Sequence, residues 1–85
     1  MSIQETFEQA VAASKTLTTR PDNNTLLKLY SLYKQATEGD APDAGPSNPF
    51  DFIAKAKYDA WSALEGVTGE DAMNQYVSLV NDLKK

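Results

Sequence analysis

Apolar residues recur along this chain with the period of a helix and nowhere with the alternation of a strand. Ile3, Phe7, Ala10, Val11 and Ser14 fall on one face of a first helix. Leu29, Leu32 and Ala36 form a stripe in a second. Ala72, Met73, Tyr76, Val77, Val80 and Leu83 form one in a last helix. The punctuation between these stripes sets the expected boundaries. Ser2-Ile3-Gln4-Glu5 fits a capping box at the start of helix 1. Pro21 disfavours helix at the residue before it, so helix 1 should end near Ser14 to Leu17.

Asp22-Asn23-Asn24 offers N-caps for helix 2, and Gly39 a C′ residue to end it. The next ten residues, 40–49, hold three Pro and one Gly and should form a loop. Asn48-Pro49 reads as N-cap and first helical position of helix 3. That helix should run from Pro49 or Phe50 to about Leu64 and be closed by Gly66. Thr68 should cap helix 4, with Glu70 and Asp71 in its first turn, and Lys84 and Lys85 at its end. The expectation is an all-α domain of four helices without internal repeats.

Helix 2 has a second face. Tyr30, Tyr33 and Lys34 stand at i, i+3 and i+4, so two phenols and an ammonium lie side by side. Two readings of these residues stand. Both rings could pack in the core with hydroxyls at its edge and Lys34 in water. Alternatively the patch holds an aromatic or phosphorylated ligand, with rings to stack on, hydroxyls to donate and a point charge for phosphate. Lys55 and Lys57 make a locally basic spot, but at i and i+2 they diverge and read alone as solvated charges. Trp61 with Leu64, and Tyr76 on the helix 4 stripe, read alone as core.

Composition narrows the chemistry. Eighty-five residues make one small domain with a modest core. There is no Cys, hence no disulfide or thiolate site, and no His, the side chain most used as a base near neutral pH. The acids show no spacing for paired acid–base work, and Asp40 and Asp43 lack the periodicity of a calcium loop. No Gly-rich phosphate loop is present. An enzyme, a metal site and a resident cofactor are therefore not expected. The N-terminus lacks the apolar segment of a secretory signal, and no apolar run approaches the ~20 residues of a membrane span. A net charge of −4 disfavours general binding to nucleic acid or to an anionic membrane.

Phe7, residues 27–40 (LKLYSLYKQATEGD), residues 55–66 (KAKYDAWSALEG) and Glu70-Asp71-Ala72-Met73 through Tyr76 resemble the acyl-CoA-binding protein family. The resemblance covers about Ile3 to Lys85 and implies one acyl-CoA-binding domain over residues 1–85. It implies a four-helix up-down-down-up bundle and a non-catalytic, cytoplasmic carrier of medium- to long-chain fatty acyl-CoA thioesters. Tyr30, Tyr33, Lys34, Lys57, Tyr76 and Lys15 would meet the coenzyme A head group. Phe7, Val11, Leu26 and Leu27 would line the groove for the acyl chain, and Lys55 would be secondary. A monomer is expected, in transient contact with acyl-CoA-using enzymes and without stable membrane insertion.

The sequence departs from the family's pattern at three places. The loop reads APDAGPSNPF where relatives carry Arg-Pro-Gly, and it is about one residue longer. Ile53 stands where relatives often have Lys, and Tyr58 where many have Trp. The first two changes thin the positive charge near the loop, so Lys34 and Lys57 should carry more of the phosphate contact. A rival reading is a helical module that docks a partner helix on the surface bearing Phe7 and Leu27.

Overall fold

The structure, a computed structural model, describes residues 2–46, 48 and 50–84. Four helices form: α1 (Ile3–Ser14), α2 (Asn23–Glu38), α3 (Phe52–Ser62) and α4 (Gly69–Leu83). No strand occurs among the described residues. Three helices start where a short polar side chain takes up an orphan backbone donor. Ser2 Oγ accepts the N–H of Glu5 at 3.2 Å, Asp22 that of Thr25 at 2.8 Å, and Thr68 that of Asp71 at 3.1 Å. Gly39 ends α2 at the cap itself, with φ +80°, one position before the C′ site expected. Gly66 also has positive φ, at +89°.

The start of α3 corrects the sequence expectation. Pro49 lies outside the described residues, and so do Ser47 of the loop and Lys85 at the chain end. Asn48 Oδ1 accepts the N–H of Phe50 at 2.9 Å, which closes a turn before the helix. The N-cap is Asp51, whose carboxylate accepts the N–H of Ala54 at 3.0 Å. Asn48 and Asp51 each take up a backbone N–H, and the later one sets the boundary. The helix ends at Ser62, and residues 63–66 continue as turns rather than as helix to Leu64.

The core belongs to three helices. Phe7 and Ala10 of α1, Leu29 and Leu32 of α2, and Tyr76 and Val80 of α4 form one buried cluster. α4 packs on both α1 and α2, whereas α3 packs on α2. Two side-chain pairs fix the α2–α3 register. Lys57 Nζ lies 5.2 Å over the Tyr30 ring, and one turn on Lys34 Nζ lies 5.0 Å from the Trp61 ring centre. Advancing four residues on one helix advances four on the other, so α2 and α3 run parallel. That is the down-down pair of an up-down-down-up bundle, as expected.

α3 is anchored at its far end. Trp61 Nε1–H donates to the Gly39 carbonyl at 2.8 Å, and Trp61 is the buried residue of this helix. Its first half carries no comparable anchor: Phe52 and Ile53 are 73% and 72% exposed. A groove lies between the N-terminal halves of the two helices.

Candidate functional site

Tyr30 stands at the junction of three concavities. The first is the groove between α2 and α3, of about 440 Å³. Its walls are Leu26, Leu27 and Tyr30 from α2, and Phe52, Ile53, Ala56 and Lys57 from α3, with Arg20 and Asn23 at one end. Most of this surface is apolar. The second, of about 320 Å³, lies on the other side of Tyr30, between α1, α2 and α4. It is lined by Val11, Ser14, Lys15, Pro21, Leu26, Leu29 and three phenols, Tyr30, Tyr33 and Tyr76. The third, of about 310 Å³, lies under the α2–α3 loop against Lys57, Tyr58 and Trp61.

The phenol pocket rests on a fixed aromatic floor. Phe7 is 2% exposed, stacks on Tyr33 at 5.9 Å and meets Tyr76 edge-on at 5.1 Å. Such offset and edge-on arrangements are the favoured ones for ring quadrupoles. The Tyr76 hydroxyl donates to Ser14 Oγ at 3.1 Å, which donates to the Val11 carbonyl at 2.7 Å. That relay ties the buried ring to α1. Lys15, as the C-cap of α1, stands exposed at the rim.

Lys34 lies next to these cavities rather than in their walls. Its ammonium pairs with Glu38 one turn on and sits against the Trp61 face. Its hydrogen bond to the Glu38 carboxylate holds its pKa above the ordinary lysine value, so it remains a cation through the neutral range. Lys55 is exposed, pairs with Asp59 at 3.0 Å and lines none of the three cavities.

Of the expected head-group residues, Lys15, Tyr30, Tyr33 and Tyr76 converge on the phenol pocket, while Lys57 reaches Tyr30 from the groove side. Of the expected acyl-groove residues, Leu26 and Leu27 line the α2–α3 groove. Val11 lies in the phenol pocket and Phe7 beneath it. Sequence reasoning missed Arg20, Asn23, Phe52 and Ala56 as groove residues and gave Ile53 only a role in charge. The signal for the two α3 residues was available: Phe50, Phe52 and Ile53 are large apolar side chains at the start of a helix whose buried face begins later.

The loop over the third cavity is held by Tyr58, whose hydroxyl reaches the carbonyls of Pro42 and Asp43. A second clasp closes the far end of the site. The Gln35 amide nitrogen donates to Asp40 Oδ1 and to the Val67 carbonyl, both at 2.8 Å. Asp40 Oδ1 also accepts the Gly66 N–H at 2.9 Å. These bonds, that of Gly66 first, hold the Asp40 carboxyl below the usual carboxylate range.

The comparisons with known proteins agree with this architecture. The sequence model of the family described as "Acyl CoA binding protein" matches residues 4–80. An acyl-CoA-binding protein homolog of Manduca sexta is 43% identical over 83 residues, covering 98% of this chain and 92% of that one. An acyl-CoA-binding protein of Dictyostelium discoideum is 47% identical over 78 residues, covering 92% of each. The crystal structure of Oryza sativa acyl-CoA-binding protein 2 superposes with a TM-score of 0.88 at 41% identity, covering 95% of this chain and 87% of that one. With the family model spanning nearly the whole chain and relatives of this likeness along its length, the chain belongs to the acyl-CoA-binding protein family.

Proposed function

We propose that this chain binds fatty acyl-CoA thioesters and carries them without chemical change. One observation carries the reading. Tyr30 borders, on its two sides, a phenol-lined pocket with a lysine at its rim and a mainly apolar groove. A ligand with an anionic aromatic head and an alkyl tail has these two needs in one molecule. The adenine and phosphates belong to Tyr30, Tyr33, Tyr76 and Lys15, with Lys34 and Lys57 supplying further charge. The alkyl chain belongs to the groove of Leu26, Leu27, Phe52, Ile53 and Ala56. In this assignment Phe7 acts through the ring floor, and Lys55 stays in solvent.

The whole chain acts as a single acyl-CoA-binding domain and works as a monomer in the cytoplasm, handing cargo to acyl-CoA-using enzymes in brief contacts. Medium to long chains are preferred, since a groove of this apolar extent is satisfied by many methylenes. A partner helix docked on the same face would need neither the phenol cluster nor the cations. Native mass spectrometry of protein purified from cells tests the reading. A co-purified acyl-CoA identifies the ligand by mass; a bound peptide, or acyl-CoA that fails to raise the melting temperature, overturns it.

A further inference from the structure

The apolar stripe of α1 ends on a hydroxyl. Ile3, Phe7, Ala10 and Val11 lead to Ser14, at a position the helical period assigns to the packed face. Ser14 stands half-buried in the wall of the phenol pocket, beside Val11, Leu29 and the rings of Tyr30, Tyr33 and Tyr76.

Counting protons fixes what Ser14 offers there. A serine hydroxyl has one proton to donate and two lone pairs to accept with. The Ser14 proton goes to the Val11 carbonyl at 2.7 Å, a group that only accepts. Ser14 Oγ also lies 3.1 Å from the Tyr76 hydroxyl, so the proton between these two oxygens is the phenol's. Both hydroxyl protons are thus spent inside the protein. Ser14 Oγ keeps one lone pair, and the only hydrogen bond this pair of hydroxyls can make with a ligand is one that it accepts.

A phosphate ionised at neutral pH offers only acceptors, and so does a thioester carbonyl. Neither suits this corner of the pocket. The coenzyme A head also carries donors, and one of them, the exocyclic amino group of adenine, stands on a flat aromatic ring. The wall around Ser14 is made of phenol rings and aliphatic side chains, surroundings in which a flat base stacks. Lys15, next in the chain, is exposed at the rim, where phosphates belong. We infer that Ser14 is a specificity-determining residue whose Oγ accepts a hydrogen bond from the adenine amino group and so fixes which edge of the base enters the pocket. The inference rests on the acyl-CoA reading and deepens it, since it selects adenine over a base with a carbonyl at the same ring position.

Calorimetry with palmitoyl-CoA and its deaminated counterpart, in which a carbonyl oxygen replaces the amino group, tests it. Wild type should bind the deaminated thioester about tenfold more weakly, since one hydrogen bond is exchanged for two facing acceptors. In Ser14→Ala the Tyr76 proton is released, and the preference should fall to about twofold or less. Ser14→Thr keeps a hydroxyl able to bond the same helix carbonyl and should restore the preference. Equal affinity of wild type for the two thioesters, or a Ser14→Ala variant that discriminates as well as wild type, overturns the inference. A wild type that binds neither thioester overturns the acyl-CoA reading itself, and the inference with it.

Discussion

The ammonium of Lys34 sits between Glu38, one turn on, and the face of Trp61. An exposed pair at this spacing contributes about 0.3–0.5 kcal/mol. A hydrogen bond to a charged group contributes about 1.5–3 kcal/mol. A phosphate arriving near Tyr30 therefore draws Lys34 away from Glu38 at small cost. Lys34→Ala should weaken palmitoyl-CoA binding by roughly 1–3 kcal/mol by calorimetry, with an almost unchanged melting temperature. A normal affinity would move the phosphate contact to Lys57 and Lys15. From the sequence, Lys34 stood out because it follows two tyrosines on one face. Its neighbours Glu38 and Trp61 divide into a contact legible at i+4 and one that only the packing of α3 supplies.

At the scale of elements, the end of α2 depends on a polar clasp. Gln35 is 1% exposed and joins Asp40 to the Val67 carbonyl, while its Oε1 finds no partner among the described residues. Gln35→Ala should destabilise the fold by about 1–3 kcal/mol in urea unfolding, since it removes the part-buried bonds to Asp40 and the Val67 carbonyl. Asp40 gives the clasp a pH dependence. Its carboxyl titrates lower in the folded chain than the ~3.9 of an unfolded one. The stabilisation is thus full above the unfolded value and is lost as pH falls through the folded one. Thermal melts should show wild-type stability dropping below about pH 4, with a shallower acid limb in Asp40→Asn. The caps at Ser2, Asp22 and Thr68 were legible because their signals span four residues. The start of α3 was not, because Asn48 and Asp51 both satisfy the local rule. Gln35 and the groove wall were hidden for a different reason. The partners of Gln35 lie in the loops that follow α2 and α3, and the far wall of the groove on another helix; local spacing encodes neither the path of a loop nor the register between α2 and α3.

The whole molecule divides into a three-helix core and a fourth helix, α3, that packs on α2. Local opening follows buried contacts. Amide exchange should therefore be fastest in the first half of α3 among the helices, and should slow there when ligand fills the groove. Binding energetics point to both halves of the ligand. A 16-carbon tail offers on the order of 12 kcal/mol gross at ~0.8 kcal/mol per CH₂. Nanomolar affinity requires about as much net, and ordering the chain and ligand costs several kcal/mol. At nanomolar affinity the tail alone would fall short, and the proposed contacts of the phenol pocket and its cations would supply the rest. At a ligand concentration about 100 times Kd the fold gains about 2.7 kcal/mol. For a domain of this size that corresponds to a melting shift of roughly 10–20 °C.

The bipartite site around Tyr30 is tested most directly by calorimetric titration of three ligands: palmitoyl-CoA, coenzyme A and free palmitate. The account predicts tight binding of the thioester and much weaker binding of each half alone. Palmitate binding as tightly as palmitoyl-CoA would contradict it, because the phenol pocket and its lysines would then contribute nothing.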